Sequence, residues 1–394
     1  MDTRISPSKI AIAGTSIFSC CFFTIFSIKS LVHAPIETWQ LMLFQALLCT
    51  ICYLMDTKIL IGLGIAPLLF FNNEIRTGSI TDADIPFIFS SCGILLLVIS
   101  QFDWIAFIKK YLVYQPGLAT ASCFCALLLL ESSKLIQTLD HVDIYSPLLC
   151  LGILIMIHLL KYDFGPILVF LILLLATHEY QGLHLSYRLI DYSLPDITPT
   201  YLLRLVLSSL SLLVILIIDI STCMTVISKP LEIDTKEQVD AIRSTVGINS
   251  TLSGILGIGT AIVYFENLAG NFKLPGSRYI PLVSGLCFVV TSIILNAVSI
   301  NVSQFALCFS LYLVYLILYN FLIDHGPYIL ITLLVALASF IFLKVSYVEA
   351  IALISVLVHM YGTARGYIKS EDFIRNFTFW ALIFVLHLSF LTAI

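Results

Sequence analysis

The chain alternates long apolar runs with short polar or Pro/Gly-containing breaks. In the first half the runs fall at 10–32, 39–54, 59–71, 85–101, 116–133, 144–160 and 165–178. In the second half they fall at 201–227, 247–257, 258–269, 279–299, 302–323, 327–343, 345–361 and 377–393. A spanning helix needs about 20 apolar residues, and fewer where the segment is broken. The pattern predicts an all-α chain that crosses a membrane many times, with one run in excess of seven plus seven. The longest polar interruption, 228–244, reads as a loop.

Two runs differ from their neighbours. The run at 59–71 carries Gly62, Gly64 and Pro67, and the run at 258–269 follows Gly257 and contains Gly259. Each is third in its half. Short, Gly/Pro-interrupted segments at matching positions point to an inverted repeat with its binding site at the breaks. The halves read as 1–200 and 201–394.

Composition sharpens the class. Of 394 residues, 59% are hydrophobic and 11% are charged, with a mean hydropathy of +1.03. A soluble domain carries about 25% charged residues, so this is a polytopic membrane protein. The basic N-terminus, MDTRISPSK, lacks a small-residue cleavage site, so the first apolar run is expected to stay. Counting Lys and Arg loop by loop places Arg4, Lys9, Lys58, Lys109, Lys110, Lys161, Lys229, Lys236, Arg243, Lys273 and Arg278 on one side. The positive-inside bias makes that side cytoplasmic, together with the N-terminus, in an inner or plasma membrane. The eleven cysteines show no metal spacing and several lie in apolar runs, where thiols act as small apolar groups. No cofactor, metal or nucleic-acid partner is expected.

The candidate chemistry lies at 247–278, GINSTLSGILGIGTAIVYFENLAGNFKLPGSR. Small residues crowd its first half, and Glu266 and Asn267 then fall at membrane depth. Asp219 is a second carboxylate inside an apolar run, LVILIIDISTCM. Charges inside a bilayer are costly and mark substrate or proton pathways. A buried carboxylate accepts hydrogen bonds from a ligand's N–H groups, and free backbone N–H groups donate to its carbonyls. His158, His178, His359 and His387 show no metal-ligand spacing and read as satisfied helix residues.

These residues resemble the signature of the nucleobase/cation symporters, the group of uracil and xanthine permeases and nucleobase–ascorbate transporters. The match rests on the Gly-rich segment, Tyr264, the Glu266-Asn267 pair and the later Ser277-Arg278. Asp219, 47 positions before Glu266, stands where the family has an acidic residue in span eight. The stretch at 85–112 resembles the family's fourth span and the loop after it. The chain departs from the family in lacking a Gln-His pair in the first span, in having Asp at position 219, and in the loop AGNFKLPGSR.

The resemblance implies a 7+7 inverted-repeat transporter with short strands in broken spans three and ten. Its core domain would hold spans 1–4 and 8–11, and its gate domain spans 5–7 and 12–14. It implies proton-coupled import of a purine or uracil, or coupling to Na+, and a homodimer through the gate. Substrate contacts would come from Glu266, Asp219, Asn267, Gly64, Ile65, Ala66, Thr260, Ala261 and Ile262. Glu266 and Asp219 would also carry the coupling proton. The alternatives are an anion transporter of the related sulfate-permease kind and a non-transporting relative. An embedded enzyme would need a nucleophile–base set or metal cluster at one depth, and none is evident.

Overall fold

A computed structural model describes residues 6–31, 36–64, 80–81, 83–102, 116–139, 141–162, 164–180, 198–231, 233, 235–267, 277–296, 298–300, 302–325, 328–343 and 347–364, with four isolated positions beyond. The helices of the first half are α1 (Pro7–Leu31), α2 (Thr38–Leu54), α3 (Ile85–Ile99), α4 (Pro116–Thr138), α5 (His141–Leu159) and α6 (Gly165–Thr177). Strand β1 (Ile61–Leu63) lies between α2 and α3, and β2 (His178–Tyr180) follows α6. The second half has α7 (Pro199–Leu231), α8 (Lys236–Ile255), β3 (Ala261–Val263), α9 (Tyr279–Leu295), β4 (Val298–Ile300), α10 (Val302–His325), α11 (Tyr328–Ala338) and α12 (Tyr347–Ala364). A π-helical turn, Ser339–Leu343, extends α11.

Helix, helix, strand, helix opens each half and three more helices follow, with β2 after the last helix of the first half and β4 between α9 and α10 in the second, and the packing exchanges partners between halves. Helix α2 packs along α9, and its counterpart α8 packs along α3. Likewise α1 meets α9 and α10, while α7 meets α3 and α4; α4 meets α11, and α10 meets α5. Strands β1 and β3 pair antiparallel, with Ile61 opposite Val263, Gly62 opposite Ile262 and Leu63 opposite Ala261. Equivalent elements running antiparallel are what an inverted repeat produces. Two layers result. One contains α1–α3, α7–α9 and the crossed strands; the other is built on α4, α5 and α10–α12.

The helices read from apolar runs form close to their expected limits. Among the described residues three are long and apolar enough to cross a bilayer by length and composition, over Leu118–Gln137, Pro199–Ser221 and Ser303–Asn320; seven more are shorter and apolar. Outward-facing Leu149, Leu175, Leu334 and Phe342 are exposed. Such a surface is a liability in water and is what hydrocarbon wets. All eleven cysteines are free, and ten are fully buried.

The second half differs from the reading at two places. The stretch at 228–244 is helix on both sides of a short break: α7 runs to Leu231 and α8 starts at Lys236. Thr235 caps α8 by accepting from the Gln238 N–H at 3.4 Å. Thr235, Lys236 and Glu237 at its start are exposed, while Gln238 and Arg243 are buried, as are Thr245 and Asn249 further along the helix. The second difference is the β2–β4 pair, which joins the end of α6 to the α9–α10 connection and left no recognisable pattern. The tail run at 377–393 lies outside the described residues apart from isolated positions.

Polar contacts join the helix ends. Arg204 Nη2 of α7 lies 2.8 Å from Asp84 Oδ2, just before α3. Arg278 Nη1, just before α9, lies 3.7 Å from Asp56 Oδ1, just after α2. Arg243 Nη1 of α8 donates to the Phe102 carbonyl, just past α3, at 2.6 Å.

The α3–α8 seam is closed by glycine. A Cβ built on Gly254 would sit 2.3 Å from Ser90 N, and one on Gly93 would sit 2.4 Å from Thr251 N. Both obstacles are backbone, which cannot swing aside. Gly254→Ala is therefore expected to destabilise the protein by about 2 kcal/mol or more, the usual cost of overpacking. Gly152→Ala on α5, where a Cβ meets nothing within 4 Å, should be neutral or slightly stabilising through helix propensity. Thermal unfolding of the two purified variants checks the contrast.

Candidate functional site

The two crossed strands are only three residues each, and at membrane depth their backbone polar groups have no water to bind. Between them the ladder adds the Gly64 N–H donating to the Thr260 carbonyl at 3.0 Å. The remaining bonds come from side chains on the surrounding helices. On β1 the Leu63 N–H donates to Gln45 Oε1 of α2 at 3.0 Å. On β3 the Ala261 N–H donates to Ser250 Oγ of α8 at 3.0 Å. These two helices are counterparts, so each half anchors its own strand in the same way. Asn249 Nδ2 donates across to the Ile61 carbonyl at 3.1 Å.

Two glycines lie between the end of α8 and the start of β3. Gly257 and Gly259 hold φ of +64° and +132°, a region that side chains disfavour, and they turn the chain out of α8 into the strand. Past β3, Tyr264 Oη donates to the Leu63 carbonyl at 2.5 Å. Asn267 extends the ladder with its side chain. Its Oδ1 accepts from the Leu60 N–H at 2.8 Å, and its Nδ2 donates to the carbonyls of Leu60 at 2.9 Å and Tyr264 at 2.8 Å.

This scaffold presents Glu266, 4% exposed, on the turn between Tyr264 and Asn267. Its Oε1 accepts from Thr24 Oγ1 of α1 at 3.0 Å. Asp219, also 4% exposed, faces the same cavity from α7, one helical turn before Cys223. Ile262, Phe265 and Phe124 of α4 complete the wall that bears on the argument, and the described lining residues include no Lys or Arg. The free volume is about 20 Å³, on the order of what one water occupies. A larger ligand does not fit in the cavity as it stands.

The structure thus brings Glu266, Asp219 and Ile262 to one cavity. Thr260 and Ala261 lie beside it on and just before β3, both fully buried, and Thr260 Oγ1 has no hydrogen-bond partner among the described residues. Gly64 lies against them, bonded to Thr260. Asn267 is fully buried and spends its amide on strand backbone. Ile65 and Ala66 lie outside the described residues. Sequence reasoning missed Thr24, Phe124 and Cys223. Thr24 and Phe124 sit in ordinary apolar runs, and only the packing of α1 and α4 against the crossing gives them a place.

No protein-family model matches the sequence, and no curated relative matches it. Among solved structures, the transmembrane domain of a cyanobacterial bicarbonate transporter, BicA, superposes with a TM-score of 0.59 at 12% identity, over 86% of this chain and 98% of that one. The chain shares that domain's fold. At this identity the likeness concerns architecture alone.

Asn267→Leu removes three hydrogen bonds and strands the buried N–H and C=O of Leu60. An unsatisfied buried group costs about 1–3 kcal/mol, so a loss of roughly 3 kcal/mol or more in stability is expected. Thr24→Val, nearly isosteric, should keep the fold while releasing Glu266. Denaturation midpoints of the two variants check the difference.

Proposed function

We propose that the protein is a secondary active transporter that carries a nucleobase, purine or uracil, by alternating access coupled to protons. The observation that carries this reading is the pair Glu266 and Asp219, buried in one cavity with no cationic side chain among its described walls. Two carboxylates in a low-dielectric site repel an anion and attract N–H donors. A nucleobase offers such donors along one edge and carbonyls along another. Glu266 would accept from the N–H edge once the ligand competes with Thr24, and Gly64, Thr260, Ala261 and Ile262 would shape the opposite side. Asn267 acts by holding the strands, and Ile65 and Ala66 would lie on the β1 side.

The layer of α1–α3 and α7–α9 would be the moving core, and α4–α6 with α10–α12 the gate, with repeats over 1–200 and 201–394. The Lys and Arg bias supports a cytoplasmic N-terminus in an inner or plasma membrane. A proton is the coupling ion that two carboxylates handle most directly, and Na+ would use the same oxygens. Exposed apolar faces on the gate helices leave room for a homodimer.

A second reading, anion transport, is favoured by the fold likeness, since that neighbour is a bicarbonate transporter. It requires both carboxylates to be neutral when the anion binds.

Uptake of radiolabelled uracil, xanthine, hypoxanthine, guanine, adenine, bicarbonate and sulfate by expressing cells separates the two. Uptake of a base is expected, abolished by a protonophore and reduced at least about tenfold in Glu266→Gln, the scale of one charge-assisted hydrogen bond. Uptake of bicarbonate or sulfate with no base would select the anion reading instead.

A further inference from the structure

We infer that Phe124 and Phe265 form a ring clamp that grips a planar heteroaromatic substrate between the two layers, an inference resting on the base-transport reading. Phe265 stands on the β3 side, next to Glu266, and is 5% exposed. Phe124 stands on α4, which packs with α10, α11 and α12 in the opposite layer. Their rings are close to parallel, 29° apart in plane, with centroids 6.2 Å from each other, and both line the cavity of Glu266 and Asp219. The pair therefore bridges the boundary along which an alternating-access transporter must slide.

A flat ring packed at van der Waals distance needs about 3.5 Å on each face, so two jaws must stand about 7 Å apart, face to face, to hold it. The centroid spacing of 6.2 Å includes any sideways offset of the rings, and only about 20 Å³ is free beside the carboxylates, so the jaws are closed in this structure. A ring enters when the layers part, and closing them would stack it on both faces.

Carboxylates and rings then divide the recognition. Glu266 and Asp219 read the N–H edge, and the two phenyl faces read planarity and aromaticity. Bicarbonate and sulfate have no ring face for the jaws to hold. One jaw on each layer also means that the bound ring itself links the layers, so substrate presence is felt by both.

The test is binding of the accepted radiolabelled base to purified wild type, Phe124→Leu, Phe124→Tyr and Phe265→Leu, beside Glu266→Gln. Base stacking on an aromatic side chain is worth about 1–3 kcal/mol, so each Leu variant should weaken binding by about 10-fold or more. Phe124→Tyr, which keeps the ring, should stay within about threefold. In wild type, 5,6-dihydrouracil keeps the hydrogen-bonding edge of uracil but not its flat aromatic ring. It should compete at least about 10-fold less well than uracil, a measurement that needs no variant to fold. If the Leu variants bind as wild type does while Glu266→Gln loses binding, base transport stands and the clamp is wrong. Equal competition by uracil and its dihydro form also overturns the clamp. If wild type binds no base at all, both readings fall together.

Discussion

Strand backbone placed inside a membrane must find its hydrogen bonds within the protein, and the structure is arranged around that requirement. Two strands of three residues cannot satisfy each other. Gln45, Asn249, Ser250, Tyr264 and Asn267 supply what is missing, each buried and each aimed at a backbone group. Side chains that would be penalised on a lipid-facing helix are stable here because their alternative is an orphaned amide in hydrocarbon. The polar character of α8, unusual for a buried helix, follows from the same need.

Close packing is the second consequence. Helices that must reach a crossing strand with short side chains such as Ser250 and Asn249 have to lie near it. Gly247, Gly254 and Gly93 let α8 and α3 approach until backbone meets backbone. The exchange of partners between halves, α2 with α9 and α8 with α3, ties the two repeats into one layer. The opposite layer touches it mainly through α1, α7 and α4, so the two layers share one boundary. Glu266, Asp219, Phe265 and Phe124 meet at that boundary, and Thr24 reaches Glu266 from α1.

Much of this was legible in the residues. Apolar run length located the helices, since hydrocarbon thickness dictates how many apolar residues a span needs. Gly257 and Gly259 marked the end of α8 because their backbone angles exclude most side chains. Glu266 and Asp219 were conspicuous because a carboxylate at membrane depth is costly unless it is used. Polarity misled at 228–244, where Gln238 and Arg243 are buried and bond to backbone at Asp56, Lys58 and Phe102. The β2–β4 pair escaped notice because three-residue strands leave no periodicity.

The sequence by itself determined the membrane class, most of the helices, the broken elements and the two buried acids, because each is a local cost that local composition must record. Tertiary structure alone decided that Asn267 serves the Leu60 backbone, that Thr24 holds Glu266, and that a phenylalanine on α4 faces one beside Glu266. Those pairings join residues 207, 242 and 141 positions apart. Nothing in a local pattern encodes them, because they arise only when the repeats have interlocked and the second layer has closed on the first.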